Sequence, residues 1–181
     1  MEYIVMKILC SGNPNHRTVA NGVAQIYPGA DFASRSTGYD LRFWDHESET
    51  HFRQQIVNYD TFINASFLCK WGQHQLLEIT HEVWAQHGIQ GHIVNIGSSA
   101  ELTGVRDDRG YPGNYSIQKS TLRDLSLYYN RKNKIKCSHI ILGGINDGLP
   151  GHEEWLAPLE IGRAIQYVLE NTHDVPISSL L

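Results

Sequence analysis

The sequence predicts a doubly wound α/β sandwich, a three-layer arrangement in a single domain spanning residues 1–181. Short apolar, β-branched runs recur along the chain, and segments long enough to form helices separate them. The runs are apolar throughout rather than alternating, as in Ile93-Val-Asn-Ile96. Such strands suit a parallel sheet covered by helices on both faces, built from successive β-α-β units. With 181 residues, 41% of them hydrophobic, the chain is long enough for one sizeable core.

Taken in order, strands are expected at Ile4 to Leu9, Ala30 to Ser34, Thr61 to Ala65, His92 to Ile96 and Ser138 to Leu142, with Ile177 to Leu181 adding a last one. Helices are expected at Val19 to Ile26, Ser48 to Val57, Gln75 to His87, Tyr115 to Asn130 and Leu159 to Glu170. Leu102 to Gly113, rich in glycine and charge, reads as a surface loop, and Gly148 to Gly151 as a second break. Both suit a lid or an ordinary connector.

A formal net charge of −4 offers no overall attraction to nucleic acid or to an anionic membrane, so neither partner is expected. Cys10, Cys69 and Cys137 are too scattered for a disulfide framework or a paired zinc site, which fits a reducing cytoplasm. The histidines form no HExxH pair and no metal site is expected. The opening run Tyr3 to Cys10 carries Lys7, is too short to span a bilayer, and reads as a first strand rather than an address.

In doubly wound sheets ligands bind beyond the carboxyl ends of the strands. Those ends carry Ser11 and Gly12, Ser34 and Arg35, Asn64 to Ser66, Gly97 to Ser99, and Gly143 to Asp147. Ser11-Gly12 followed by a helix is where a pyrophosphate would sit, because free N–H groups and the helix dipole favour negative charge there. His16 and Thr18 stand where a glycine fingerprint would need glycine. The stretch Gly12 to Ala24 instead resembles the divergent loop of enoyl-acyl-carrier-protein reductases, with Gly12, Thr18 and Ala20 in the matching places. Gly12 lets backbone approach phosphate, Thr18 offers a hydroxyl, and small Ala20 and Gly22 permit close helix-to-sheet packing. An ordinary strand-to-helix turn is the alternative. The second strand ends in Ser34-Arg35-Ser36 without an acidic residue. Arg beside small hydroxyls accommodates a 2′-phosphate, which favours NADP(H) over NAD(H), unless Arg35 is simply a solvated charge.

At the other end, Ile93-Val-Asn-Ile-Gly-Ser98-Ser99 and Tyr115-Ser-Ile-Gln-Lys119 resemble the catalytic strand and helix of the short-chain dehydrogenase/reductase family, which has a Rossmann-type fold. Ser98 takes the place of the catalytic serine, with Ser99 as its fallback. Two other Tyr-x-x-x-Lys pairs compete. Tyr3/Lys7 lies on a strand, where residues four apart are separated by about 13 Å. Tyr128/Lys132 lies about 220° around the helix from Tyr115 and faces solvent or a subunit interface. The resemblance extends to Asp40-Leu41 near the adenine, to Asn64-Ala65 after the third apolar run, and to Gly143 to Asp147, which places Ile145 by the nicotinamide. The family's helix asparagine has no clear counterpart, and Gln73 or His74 is the substitute in reach. The stretch after Asp147, where the family builds its substrate lid, is abbreviated.

The resemblance implies reversible reduction of a carbonyl on a small molecule, or secondarily of an activated alkene. In it Tyr115 is the acid/base, Lys119 lowers its pKa and binds ribose, and Ser98 polarises the carbonyl. Cofactor contacts would come from Ser11, Gly12, Thr18, Ser34, Arg35, Asp40, Leu41, Asn64, Ala65, Tyr115, Lys119, Gly143 and Ile145. A dinucleotide-binding sensor or scaffold without turnover is the main alternative, and a flavodoxin-like signalling domain a further one. The family also pairs subunits through the helices matching Gln75 to His87 and Tyr115 to Asn130, so a homodimer or homotetramer is expected. Sedimentation at micromolar concentration should therefore show no monomer as the sole species.

Overall fold

Six parallel strands form one sheet in the order β2-β1-β3-β4-β5-β6, in a computed structural model that describes residues 6–39, 45–66, 71–103, 114–132, 134–171 and 175–181. In chain order the elements are β1 (Ile8–Ser11), α1 (Val19–Ile26), β2 (Asp31–Ala33), a 3₁₀ turn (Arg35–Thr37), α2 (His46–Ile56), β3 (Thr61–Asn64), α3 (Gly72–His87), β4 (His92–Ile96), α4 (Ala100–Thr103), α5 (Tyr115–Asn130), β5 (Lys136–Leu142), α6 (Pro158–Glu170) and β6 (Ile177–Leu180). This is the expected doubly wound, Rossmann-like α/β fold. The chain reverses its direction of travel across the sheet between β1 and β3, so the carboxyl ends of those strands open a crevice.

The period-2 alternation of strand side chains divides the core in two. Leu9, Phe62 and Ile93 point to one face and pack with Phe52 and Ile56 of α2, Leu76, Leu77 and Trp84 of α3, and Leu122 of α5. Ile8, Cys10, Ile63, Val94 and Ile140 point to the other and meet Val19 and Val23 of α1 and Ile161 and Ile165 of α6. Trp84 donates its indole N–H to the Ile56 carbonyl at 2.9 Å, which ties α3 to α2. Burial pushes the Cys137 thiol up to about 12 and raises that of Cys10 as well, and both are unpaired.

Several bounds differ from the sequence expectation for local reasons. The first strand runs Ile8–Ser11, later than Ile4 to Leu9, of which residues 4 and 5 lie outside the described residues. α2 starts at His46 because Asp45 caps it, accepting from the Ser48 N–H at 2.8 Å. α4 forms where a loop beginning at Leu102 was expected, and residues 104–113 of that loop lie outside the described residues. Tyr128 is exposed, with the Lys132 ammonium 5.5 Å from its ring centre, as its angular position on α5 requires.

Gly22 acts differently from expectation. Its bare Cα faces helix α6 rather than the sheet: a Cβ there would overlap the Pro158 carbonyl, and one on Gly162 would overlap the Gly22 carbonyl. The two helices therefore touch backbone to backbone. Gly22→Ala is expected to destabilise the fold by about 1–3 kcal/mol through overpacking, read as a lower urea midpoint with an unchanged slope.

Candidate active site

A cavity of about 990 Å³ lies at the carboxyl ends of β1, β3, β4 and β5. Its wall runs from Ser11 to Ala20 in the β1-α1 connection, through Ala65 and Ser66, Ile96 to Ala100, Thr103, Tyr115 and Ser116, to Leu142 to Ile145 and the stretch between Asp147 and Trp155.

The β1-α1 connection turns sharply at Gly12, whose φ of +130° is open to glycine but strained for other residues. A Cβ there would also press to 3.1 Å from the Ala20 methyl. Beyond it α1 begins at Val19, with Thr18 as an N-cap whose side chain makes no capping bond, donating instead to the His16 carbonyl at 3.3 Å. The first turn of α1 thus faces the cavity with its N–H groups uncapped by Thr18. Ser11 is fully buried, and its hydroxyl accepts from the Ala65 and Ser66 N–H groups at 2.8 and 3.0 Å, so it braces the tail of β3.

The remaining cofactor candidates separate. Ala65, Gly143 and Ile145 line the cavity, whereas Asn64 is buried beneath it, donating to the Gln73 carbonyl at 2.7 Å and to Asn95 Oδ1 at 2.8 Å. Arg35 is exposed on the turn after β2, away from the cavity wall, and Ser34 caps that turn. Asp40 and Leu41 lie outside the described residues. Arg17, which sequence reasoning passed over, lines the cavity beside Gly148. Its position follows from the backward turn at Gly12, which no spacing rule reports.

Ser98, Ser99 and Tyr115 share the cavity wall, and Ser98 Oγ accepts from the Ala100 N–H at 3.3 Å. Lys119 lies behind that wall, one turn along α5 from Tyr115, with its ammonium 5.6 Å from the centre of the Tyr115 ring. It is 3% exposed and donates to Gln73 Oε1 at 2.6 Å and to the Ile96 carbonyl at 2.7 Å. Gln73 in turn donates to the Asn64 carbonyl at 2.8 Å. Of the two substitutes for a helix asparagine, Gln73 bonds Lys119 directly. Burial pulls the Lys119 ammonium down to about 7, against the opposing pull of the Glu101 charge. Burial and the nearby ammonium push His74 down to about 4, so its ring is neutral at pH 7.

At the mouth, His152 stacks on Trp155 with ring centres 3.6 Å apart, and its Nδ1 meets Asp147 Oδ1 at 2.8 Å. Trp155 lies where a Cβ on Gly144 would be, so Gly144 is what admits this aromatic wall. Among the described residues no cluster of three or more His, Cys, Asp or Glu is arranged to hold a metal ion, and no helix is long and apolar enough to cross a membrane.

Fold and crevice together define a Rossmann-like architecture with its site at the switch point. No family model matches the chain, and no curated protein matches it in sequence. Solved structures do share its fold. Serine dehydrogenase from Escherichia coli is 14% identical with a TM-score of 0.68, the match covering 97% of each chain. A short chain dehydrogenase from Bacillus anthracis is 16% identical with a TM-score of 0.68, covering 96% of this chain and 94% of that one. A 4-hydroxyisoleucine dehydrogenase complexed with NADH is 16% identical with a TM-score of 0.70, covering 97% and 96%.

Lys119 should titrate near pH 7 in an NMR titration of ¹³Cε-labelled lysine. Gln73→Glu, which places an anion against the ammonium, should return that midpoint towards the ordinary lysine range.

Proposed function

We propose that this protein is an NADP(H)-dependent oxidoreductase of the short-chain dehydrogenase/reductase type that reversibly reduces a carbonyl on a small molecule. The observation that carries this reading is one cavity with a phosphate-type helix N-terminus at Gly12 and α1, and with Ser98 and Tyr115 on its wall and Lys119 one turn behind Tyr115.

The cavity suits a dinucleotide on two grounds. Its volume of about 990 Å³ stands at the upper end of the roughly 300–1,000 Å³ of ligand pockets, and the bare Cα of Gly12 lets backbone approach a phosphate. The absence of an acidic residue at the tip of β2, with Arg35 there and Arg17 on the cavity wall, supports a 2′-phosphate and hence NADP(H). Serine dehydrogenase complexed with NADP+ and the 4-hydroxyisoleucine dehydrogenase complexed with NADH share this fold, which supports a nicotinamide cofactor of either kind.

A nicotinamide cofactor held along Gly12, Ala65, Gly143 and Ile145 would supply a hydride to the carbonyl carbon. Ser98 donates a hydrogen bond to the carbonyl oxygen and holds the carbon towards that hydride. Tyr115 gives its phenolic proton to the same oxygen, leaving a phenolate and an alcohol. The Lys119 ammonium stabilises the phenolate, while Gln73 and the Ile96 carbonyl hold that ammonium in register. Trp155 and His152 bound the space left for the substrate. Pairing through α3 and α5 into a dimer or tetramer belongs to the same reading.

A fluorescence titration with NADPH and NADH tests it. NADPH should bind at least ten-fold more tightly, about 1.4 kcal/mol, and Arg35→Ala should erase most of that margin. Binding of neither nucleotide would move the assignment to a sensor or scaffold with another ligand. Tyr115→Phe should cut turnover by about 10²–10⁴-fold while cofactor affinity stays nearly intact.

A further inference from the structure

Behind Ser98 lies a group of charges that takes no direct part in the chemistry above. Glu101, on the short helix α4, is 9% exposed. Its Oε2 meets Nε2 of His139 on β5 at 3.0 Å and accepts from the Ser98 N–H at 3.2 Å. Its Oε1 lies 3.7 Å from the Arg123 guanidinium of α5. Its backbone carbonyl accepts from the hydroxyl of Ser120, the neighbour of Lys119 on that helix, at 3.4 Å. His139 is fully buried, and its Nδ1 has no partner among the described residues. Gly97 is what admits the pair, since a Cβ on it would fall on His139 Nε2 and the Glu101 carboxylate.

We propose that Glu101, held by His139 and Arg123, is a positioning residue for carbonyl reduction: it fixes the Ser98 turn through the Ser98 N–H and supplies the buried negative charge that answers Lys119. The proposal rests on the roles given above to Ser98, Tyr115 and Lys119. The direct partners of Lys119 named above, Gln73 Oε1 and the Ile96 carbonyl, are both neutral, and burial keeps the His74 ring neutral at pH 7. Glu101 is an anion whose field reaches it and favours its charged form. The contacts to Glu101 come from β5, α5 and the β4-α4 turn, so the carboxylate joins the serine side of the site to the lysine side.

The test is a lysine ¹³Cε NMR titration of the full chain as wild type, Glu101→Gln and Arg123→Met, with the Ser98 amide followed alongside. Glu101→Gln keeps the shape and removes the charge, so the Lys119 midpoint should fall by at least half a pH unit and the Ser98 amide resonance should move. Arg123→Met removes a cation that offsets Glu101, so the midpoint should rise. This second variant alters a partly exposed side chain and serves if Glu101→Gln fails to fold. In turnover assays Glu101→Gln should lower kcat about ten-fold, leave the KM for NADPH within two-fold, and shift the pH profile downward with the Lys119 midpoint. A purely structural role for Glu101 would leave the midpoint and profile in place, and unchanged Lys119 midpoints in the folded variants overturn the proposal. Shifted midpoints in the variants of a protein whose wild type reduces no carbonyl would sink the enzymatic reading and leave the relation between Glu101 and Lys119 standing.

Discussion

A lysine ammonium held almost wholly out of water is the constraint around which the centre of the sheet is arranged. Desolvation disfavours its charge, so acceptors must be delivered to it from separate elements. β4 delivers the Ile96 carbonyl and α3 delivers Gln73. Gln73 can serve only if it is itself fixed, and the Asn64 carbonyl and side chain fix it from β3. Asn64 then leans on Asn95, which donates to Ser126 of α5 at 3.0 Å, and so returns to the helix that carries the lysine. The loop of hydrogen bonds is closed. Buried polar chains of this kind are costly when one member is missing, which makes the relative placement of β3, β4, α3 and α5 a single decision.

That closure also explains how the site divides. Ser98 and Tyr115 line the cavity, while the charged side chains of Lys119 and Glu101 are buried behind it. On the cavity wall itself the charged side chain of Arg17 lies beside Gly148, next to the Asp147 and His152 pair.

The sheet was legible in the sequence because its strands are short apolar blocks between longer amphipathic ones. The helices Val19–Ile26 and Tyr115–Asn130 have the expected bounds, since a polar residue before each and a loss of periodicity after each mark their ends. Ser98, Tyr115 and Lys119 were legible as a motif, and the structure brings the first two to one cavity wall with Lys119 behind it. Other features had no local signature. Glu101 and His139 lie 38 residues apart and meet only because β4 and β5 are parallel neighbours. Gly22 resembles a helix-to-sheet contact in sequence but opposes Gly162 across a helix crossing, a choice that tertiary packing alone makes. Arg17 reaches the cavity because of one backbone turn at Gly12, and Trp155 because of one missing Cβ at Gly144.

The two buried thiols carry a consequence for how the molecule meets oxidants and alkylating reagents. Thiolate, not thiol, is the reactive species, and a thiol with a pKa near 12 is ionised at pH 7 in only about one molecule in 10⁵. Cys137 and Cys10 are also sealed in opposite layers of the core. Peroxide or iodoacetamide therefore reaches either sulfur only when its own layer opens. Modification at Cys137 reports the loosening of the α3 and α5 face, and modification at Cys10 that of the α1 and α6 face, so the pair act as built-in gauges of which side of the sheet gives way first.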